Sequence, residues 1–255
     1  MKLILRFSMI AAALVAGLVI AGGAVALPGD GLALSAHDFT DDATTTVGLC
    51  TFCHTPHRAQ QTKLLWNHTL SALSYSWSDT TNTTNGTPLP TFDNTWQGVS
   101  KNCLSCHDGT VAVGDVAWFN REAPAAPLFA DTHSAAGDPY LITFNAPGTG
   151  DMAGNHPVAH PFPFGGAVST YNSVTSGSEV VASGWVADPT TGGIRLFNDD
   201  GSGNVSAGPL AGQTGIECSS CHDPHNGTQV VGEYFLRGTL TGSDTNYICL
   251  KCHDK

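Results

Sequence analysis

The motif Cys-x-x-Cys-His occurs four times in this 255-residue chain: Cys50-Thr51-Phe52-Cys53-His54, Cys103-Leu104-Ser105-Cys106-His107, Cys218-Ser219-Ser220-Cys221-His222 and Cys249-Leu250-Lys251-Cys252-His253. Together they use all eight cysteines. Two thiols three positions apart can both form thioethers to the vinyl groups of one porphyrin, and the histidine that follows then lies under the iron as its fifth ligand. Four complete motifs predict four covalently attached haem c groups. On this reading Cys50, Cys53, Cys103, Cys106, Cys218, Cys221, Cys249 and Cys252 carry the thioethers, and His54, His107, His222 and His253 are the proximal iron ligands.

Three other chemistries use paired cysteines. Structural zinc closes a tetrahedron of four thiolates. It does not require a histidine directly after the second cysteine, yet every motif has one. A thioredoxin-like redox pair belongs to a βαβ pattern that the flanking sequence lacks. Four disulfides would leave the four histidines unexplained.

Residues 1–26 read as a secretory signal: Lys2 and Arg6 in the n-region, an apolar run from Phe7 to Ile20, and Ala24-Val25-Ala26 as the cleavage site. An uncleaved anchor is the alternative, because the apolar run nearly reaches spanning length; Gly22-Gly23 and the Ala-x-Ala site favour cleavage. The first cysteine is Cys50, which argues against a lipoprotein anchor. The expected location is extracellular or at the cell surface, with the periplasm as the alternative.

Cleavage would leave 229 residues, with 8 Lys and Arg against 21 Asp and Glu, a net charge of −13. Nucleic acid and anionic membrane surfaces are poor partners for such a chain, and no stable membrane insertion is expected once the signal is removed. Only 12% of residues are charged and 8% aromatic, whereas glycine numbers 29. This composition builds loops more readily than a large aliphatic core, and four porphyrins would supply the missing apolar mass. The expected fold is mostly irregular and haem-dominated, with short helices near the motifs and a few short β-hairpins. The chain without haem should fold poorly.

The motifs fall into two similar pairs, CTFCHTPH with CLSCHDG and CSSCHDPH with CLKCHDK. This predicts a duplicated two-haem unit: a first dihaem unit over 27–110, a loop- and β-rich insert over 111–217, and a second dihaem unit over 218–255. Within the insert, Val180-Val181 and Trp185-Val186, then Asp188-Pro189-Thr190-Thr191-Gly192-Gly193, then Ile194 to Phe197 read as a β-hairpin. Asn198-Asp199-Asp200-Gly201 reads as a further turn.

Seven histidines lie outside the motifs: His37, His57, His68, His133, His156, His160 and His225. Met152 is the only methionine beyond the signal, so at most one iron has a His/Met ligand pair and bis-histidine ligation is expected. His57 and His225 each stand three residues after a motif histidine, behind a proline that fixes the turn. Neither can easily turn back onto its own haem, and each is placed to ligate a neighbour. His37 and His156 lie next to apolar residues that can cover a haem edge, and His68 follows them as a candidate. His133 and His160 are expected to be bystanders, although His160 competes with His156 for the same iron.

The strings CTFCHTPH, LLWNH, CLSCHDGTVAVG, NHPVAHPF and CSSCHDPH resemble multihaem cytochromes with doubled Cys-x-x-Cys-His motifs. The tetrahaem count, acidic exported chain and size are similar to the OmcE type of extracellular tetrahaem nanowire cytochrome. The resemblance covers residues near 36–70, 101–114, 153–164 and 216–255. It implies bis-histidine haems stacked in a continuous chain, with His37, His57, His156 and His225 as favoured distal ligands, and subunits that polymerise into electron-conducting filaments.

The expected function is electron transfer without substrate chemistry, between redox partner proteins or extracellular acceptors. The alternatives are a monomeric periplasmic shuttle and a multihaem reductase with one open iron. The fourth motif ends at His253, close to the C-terminus, and His37 would be the eleventh mature residue, on a segment that could be mobile. These two ends suggest a head-to-tail contact with a histidine donated across the joint. In a monomer, His37 would instead fold back onto the first or second haem.

Overall fold

The computed structural model describes residues 27–254 except 28, 41–46, 61–62, 78–90, 93–94, 129–137, 144–146, 177–183, 203, 228–234 and 243–244. The expected signal segment and His133 lie outside the described residues.

The sequence builds its helix where the cysteine motifs are. Helix α1 spans Ser100–His107 and the short α2 spans Cys218–Cys221. In the other two motifs a single turn does the same work: the backbone N–H of His54 bonds to Cys50 O at 2.9 Å, and that of His253 bonds to Cys249 O at 2.9 Å. The matching bond in α2, His222 N to Cys218 O, is 3.0 Å. In such a turn residues i, i+3 and i+4 share one face. Each motif therefore presents two sulfurs and an imidazole to the same side.

The strands are short and antiparallel. β1 (Tyr75–Ser76) pairs with β2 (Thr91–Phe92), and β4 (Thr170–Tyr171) pairs with β5 (Val174–Thr175). A four-stranded sheet has the order β3-β8-β6-β7, formed by His160–Pro161, Thr214–Ile216, Phe197–Asp199 and Val205–Ala207. β8 runs directly into Glu217 and α2, and β3 follows His156 closely, so this sheet ties the His156 segment to the third motif.

The hairpin expected across Asp188–Gly193 is displaced along the chain. Pro189–Gly192 form a 3-10 turn, whose N-cap Asp188 accepts the Thr190 N–H at 3.0 Å. Proline at the first helical position behind an aspartate cap favours that turn over a strand reversal. The observed hairpin is β6–β7, and its turn contains Asp200 and Gly201. Trp185 pairs instead with His253. Val180 and Val181 lie outside the described residues.

The described core consists of four small clusters, each bordering a motif. Phe52 of the first motif packs with Val47, Val116 and Leu128. Leu104 of the second packs with Tyr75, Trp77, Trp96, Met152 and Ala159. Tyr171, Phe197 and Val205 pack against Val99, immediately before α1. Phe162, Ile194 and Leu196 pack against Ile248 and Cys252.

Contacts cross the boundaries between the expected units: Asn226 Nδ2 donates to the carbonyls of Leu27 and Gly31, and Trp118 N–H donates to Asn67. Among the described residues, no helix is long and apolar enough to cross a membrane.

Candidate functional site

Two of the motif histidines, His54 and His107, are oriented by backbone carbonyls. His54 Nδ1 lies 2.6 Å from Leu64 O, and His107 Nδ1 lies 2.6 Å from Tyr140 O. A carbonyl only accepts, so Nδ1 carries the proton and the Nε2 lone pair points away. This is the tautomer a metal-ligating imidazole needs. Leu64, Leu65 and Tyr140 expose 52%, 43% and 55% of their surface, so apolar groups flank these rings on the outside.

The aspartates after the motifs fix the following turns. Buried Asp108 accepts the Tyr75 hydroxyl at 2.6 Å and the Thr110 N–H at 2.8 Å. Asp223 accepts the N–H groups of His225 at 3.2 Å and Gly227 at 3.1 Å, and lies 3.8 Å from Arg237.

Three histidines from outside the motifs face motif histidines. His225 faces His54, with ring centroids 6.3 Å apart and planes 26° apart. His37 faces His107 at 6.0 Å and 55°, and its Nδ1 lies 3.1 Å from Pro224 O. His156 faces His253 at 6.3 Å and 61°, with its Nδ1 2.9 Å from Pro157 O. His37, expected either to reach a second copy or to fold back onto the first or second motif, lies beside the second motif.

The other candidates are elsewhere. His57 is exposed, and among the described residues its ring contacts no other histidine. His68 is buried beside Trp66, ring centroids 5.9 Å apart, and none of the four motif histidines is in ring contact with it. His160 stands edge-on to Trp77, and burial together with nearby His156 pushes its pKa down to about 4. Met152 is buried in the second-motif cluster. His222 lies near enough to His37 and His107 for their charges to act on one another, and burial with His107 holds its pKa below the ordinary histidine value.

The motifs neighbour one another in chain order. Trp66 stands edge-on to His54 at 5.9 Å and donates from Nε1 to Ser105 Oγ of the second motif at 3.2 Å. The Cys103 and Cys218 thiols are close enough to shift each other, and Cys218 N–H donates to Ser100 Oγ at 2.8 Å. Cys221 feels Cys249, and Cys252 feels Cys221.

All eight cysteines are free. Burial pushes the Cys53 and Cys221 thiols up to about 11 and that of Cys252 up to about 12. The Cys218 thiol lies below its ordinary value, through a hydrogen bond with Cys103 and not through the electropositive setting of a disulfide-exchange site. Among the described residues, no group of three or more His, Cys, Asp and Glu side chains is placed to hold a metal ion.

Sequence reasoning missed Trp66, Asp223 and Glu217. The repeated His-Asp after three motifs was the available signal for Asp223, and Trp66 lies in the LLWNH string without a role being readable there; nothing in the sequence marks Glu217. No protein-family model matches the chain, and no curated protein matches it.

Proposed function

We propose that the chain is an exported tetrahaem c-type cytochrome that carries electrons and does no substrate chemistry. One observation carries the proposal: three pairs of imidazoles face each other with centroids 6.0, 6.3 and 6.3 Å apart. A metal held between two imidazole nitrogens, each about 2.0 Å away, needs ring centroids roughly 6.3 Å apart. The residues present therefore fit haem. Cys50 and Cys53 with His54 and His225 would hold the first group, Cys103 and Cys106 with His107 and His37 the second, and Cys249 and Cys252 with His253 and His156 the fourth. Cys218, Cys221 and His222 would hold the third.

When bound, haem supplies reversible one-electron chemistry at iron. The chain supplies the rest. Carbonyls of Leu64 and Tyr140 hold imidazole tautomers, Asp223 holds the turn that presents His225, and the order of neighbouring motifs supports electron passage from the first to the fourth. Reduced native protein should show a c-type absorbance spectrum with low-spin bands. Protein purified from an oxygen-free host with no haem absorbance would overturn the proposal.

A filament subunit of the extracellular type is a second, compatible reading. It rests on the exposed His57 of one copy and on His222, which has His37 and His107 nearby but, unlike the other three motif histidines, forms no ring pair with a histidine among the described residues. His57 of a second copy could complete the third iron head-to-tail. Diluting or dissociating the assembly should then turn one of four haems high-spin. A monodisperse monomer with four low-spin haems contradicts this reading and leaves the shuttle.

A further inference from the structure

Glu217 is the N-cap of α2 and is 1% exposed. It lies between the second and third motifs. Its carboxylate accepts the Tyr171 hydroxyl at 2.5 Å and the Ser100 N–H, at the start of α1, at 3.0 Å. Its own N–H donates to Ser220 Oγ at 2.9 Å. The room for this arrangement is built in. A Cβ on Gly98 would fall 2.1 Å from Glu217 Oε1, and a Cβ on Gly215 would fall 2.3 Å from the Tyr171 ring.

Burial raises the Glu217 pKa to about 7, while Ser100 and Tyr171 pull it down; no cation is among the groups that act on it. The other titratable groups facing it are Cys103 of α1, Cys218 of α2 and Tyr171 of β4, with Asp199 of β6 acting on Tyr171. Thioether formation would remove both thiols from titration. Burial and the Glu217 charge hold the Tyr171 phenol far above its ordinary range. That leaves one group there able to exchange a proton near neutral pH.

Resting on the haem reading, we propose that Glu217 is a proton-binding site coupled to electron arrival at the second and third motifs. The balance is one electron from the redox partner and one proton from solvent. The Oε–H bond of Glu217 forms, no bond in the protein breaks, and the net charge of the buried region is unchanged. An uncompensated added electron inside a low-dielectric interior is costly, and a proton taken up beside it offsets that cost. The protein would then release the proton when it passes the electron on.

The test is potentiometric titration of the four-haem protein between pH 5 and 9, for wild type, Glu217→Gln and Tyr171→Phe. In wild type one or two haem potentials should fall as pH rises through about 7, by on the order of tenfold in the reduction equilibrium constant. Glu217→Gln should flatten that dependence with haem content and visible spectrum unchanged. Tyr171→Phe removes a donor that favours the ionised carboxylate, so the inflection should move to higher pH. Redox-difference infrared spectra should show a protonated-carboxyl band on reduction that is missing in Glu217→Gln. Four haems with the same pH dependence in all three proteins, as haem propionates alone would give, overturn the assignment. Absence of covalent haem in the intact mass overturns the haem reading and this assignment together.

Discussion

A histidine whose Nδ1 is tied to a carbonyl keeps Nε2 for a metal, and His54, His107, His37 and His156 are held in this way; the ring pairs are His54–His225, His107–His37 and His253–His156. Replacing His225, His37 or His156 by alanine should convert one haem each from low to high spin, and added imidazole should restore it. Electron paramagnetic resonance of the oxidised proteins measures this. His68→Ala should leave the spin states alone and cost about 2–3 kcal/mol of stability, because it removes a buried side chain.

Glu217 makes a pH prediction of its own. Its pKa is about 7 in the fold against an ordinary 4.5, so between those values the folded chain binds more protons than the unfolded one. The stability this contributes is fully present below pH 4.5 and is lost as pH rises through about 7, on the order of 3 kcal/mol in all. Denaturation of Glu217→Gln between pH 5 and 8 should show that slope gone.

The elements that hold the cysteine motifs are short: the eight-residue α1 at the second and about one turn at each of the others. Their stability comes from i to i+4 hydrogen bonds and, at the first, second and fourth motifs, from the small apolar clusters packed against them. The sheet β3-β8-β6-β7 holds the third and fourth sites in register, so crowding it should propagate. Gly215→Ala places a Cβ into the Tyr171 ring and should cost about 1–3 kcal/mol, read as a lower midpoint in chemical denaturation.

The motif turns were legible in the sequence because sulfurs and imidazole lie within five residues of one another. The histidine partners were legible only as a candidate set. His225 meets His54 and His37 meets His107 through long-range packing, and no local pattern says which meets which. The hairpin was misplaced because Val, Ile and Phe around Asp188-Pro189 have strand propensity, while the aspartate cap and proline decide for a 3-10 turn. A buried carboxylate such as Glu217 looks like any acidic residue until its neighbours are known.

Taken whole, the described chain has four separate apolar clusters in place of one core. Folding such a molecule requires apolar mass between the clusters, which four porphyrins would provide. Chain expressed without haem attachment should therefore unfold without a sharp cooperative transition, and near-ultraviolet circular dichroism on heating checks this. Contacts between the motifs follow chain order: Trp66 links the first to the second, Cys103 and Cys218 the second to the third, and Cys221 with Cys249 and Cys252 the third to the fourth. On the proposed haem reading, that order would let electrons pass from the first motif to the fourth.

Intact-mass measurement of the native exported protein tests the haem reading most directly. The predicted mass is that of the chain cleaved after Ala26 plus four covalently bound haems. A mass lacking haem, carrying fewer than four, or explained by bound zinc would contradict it.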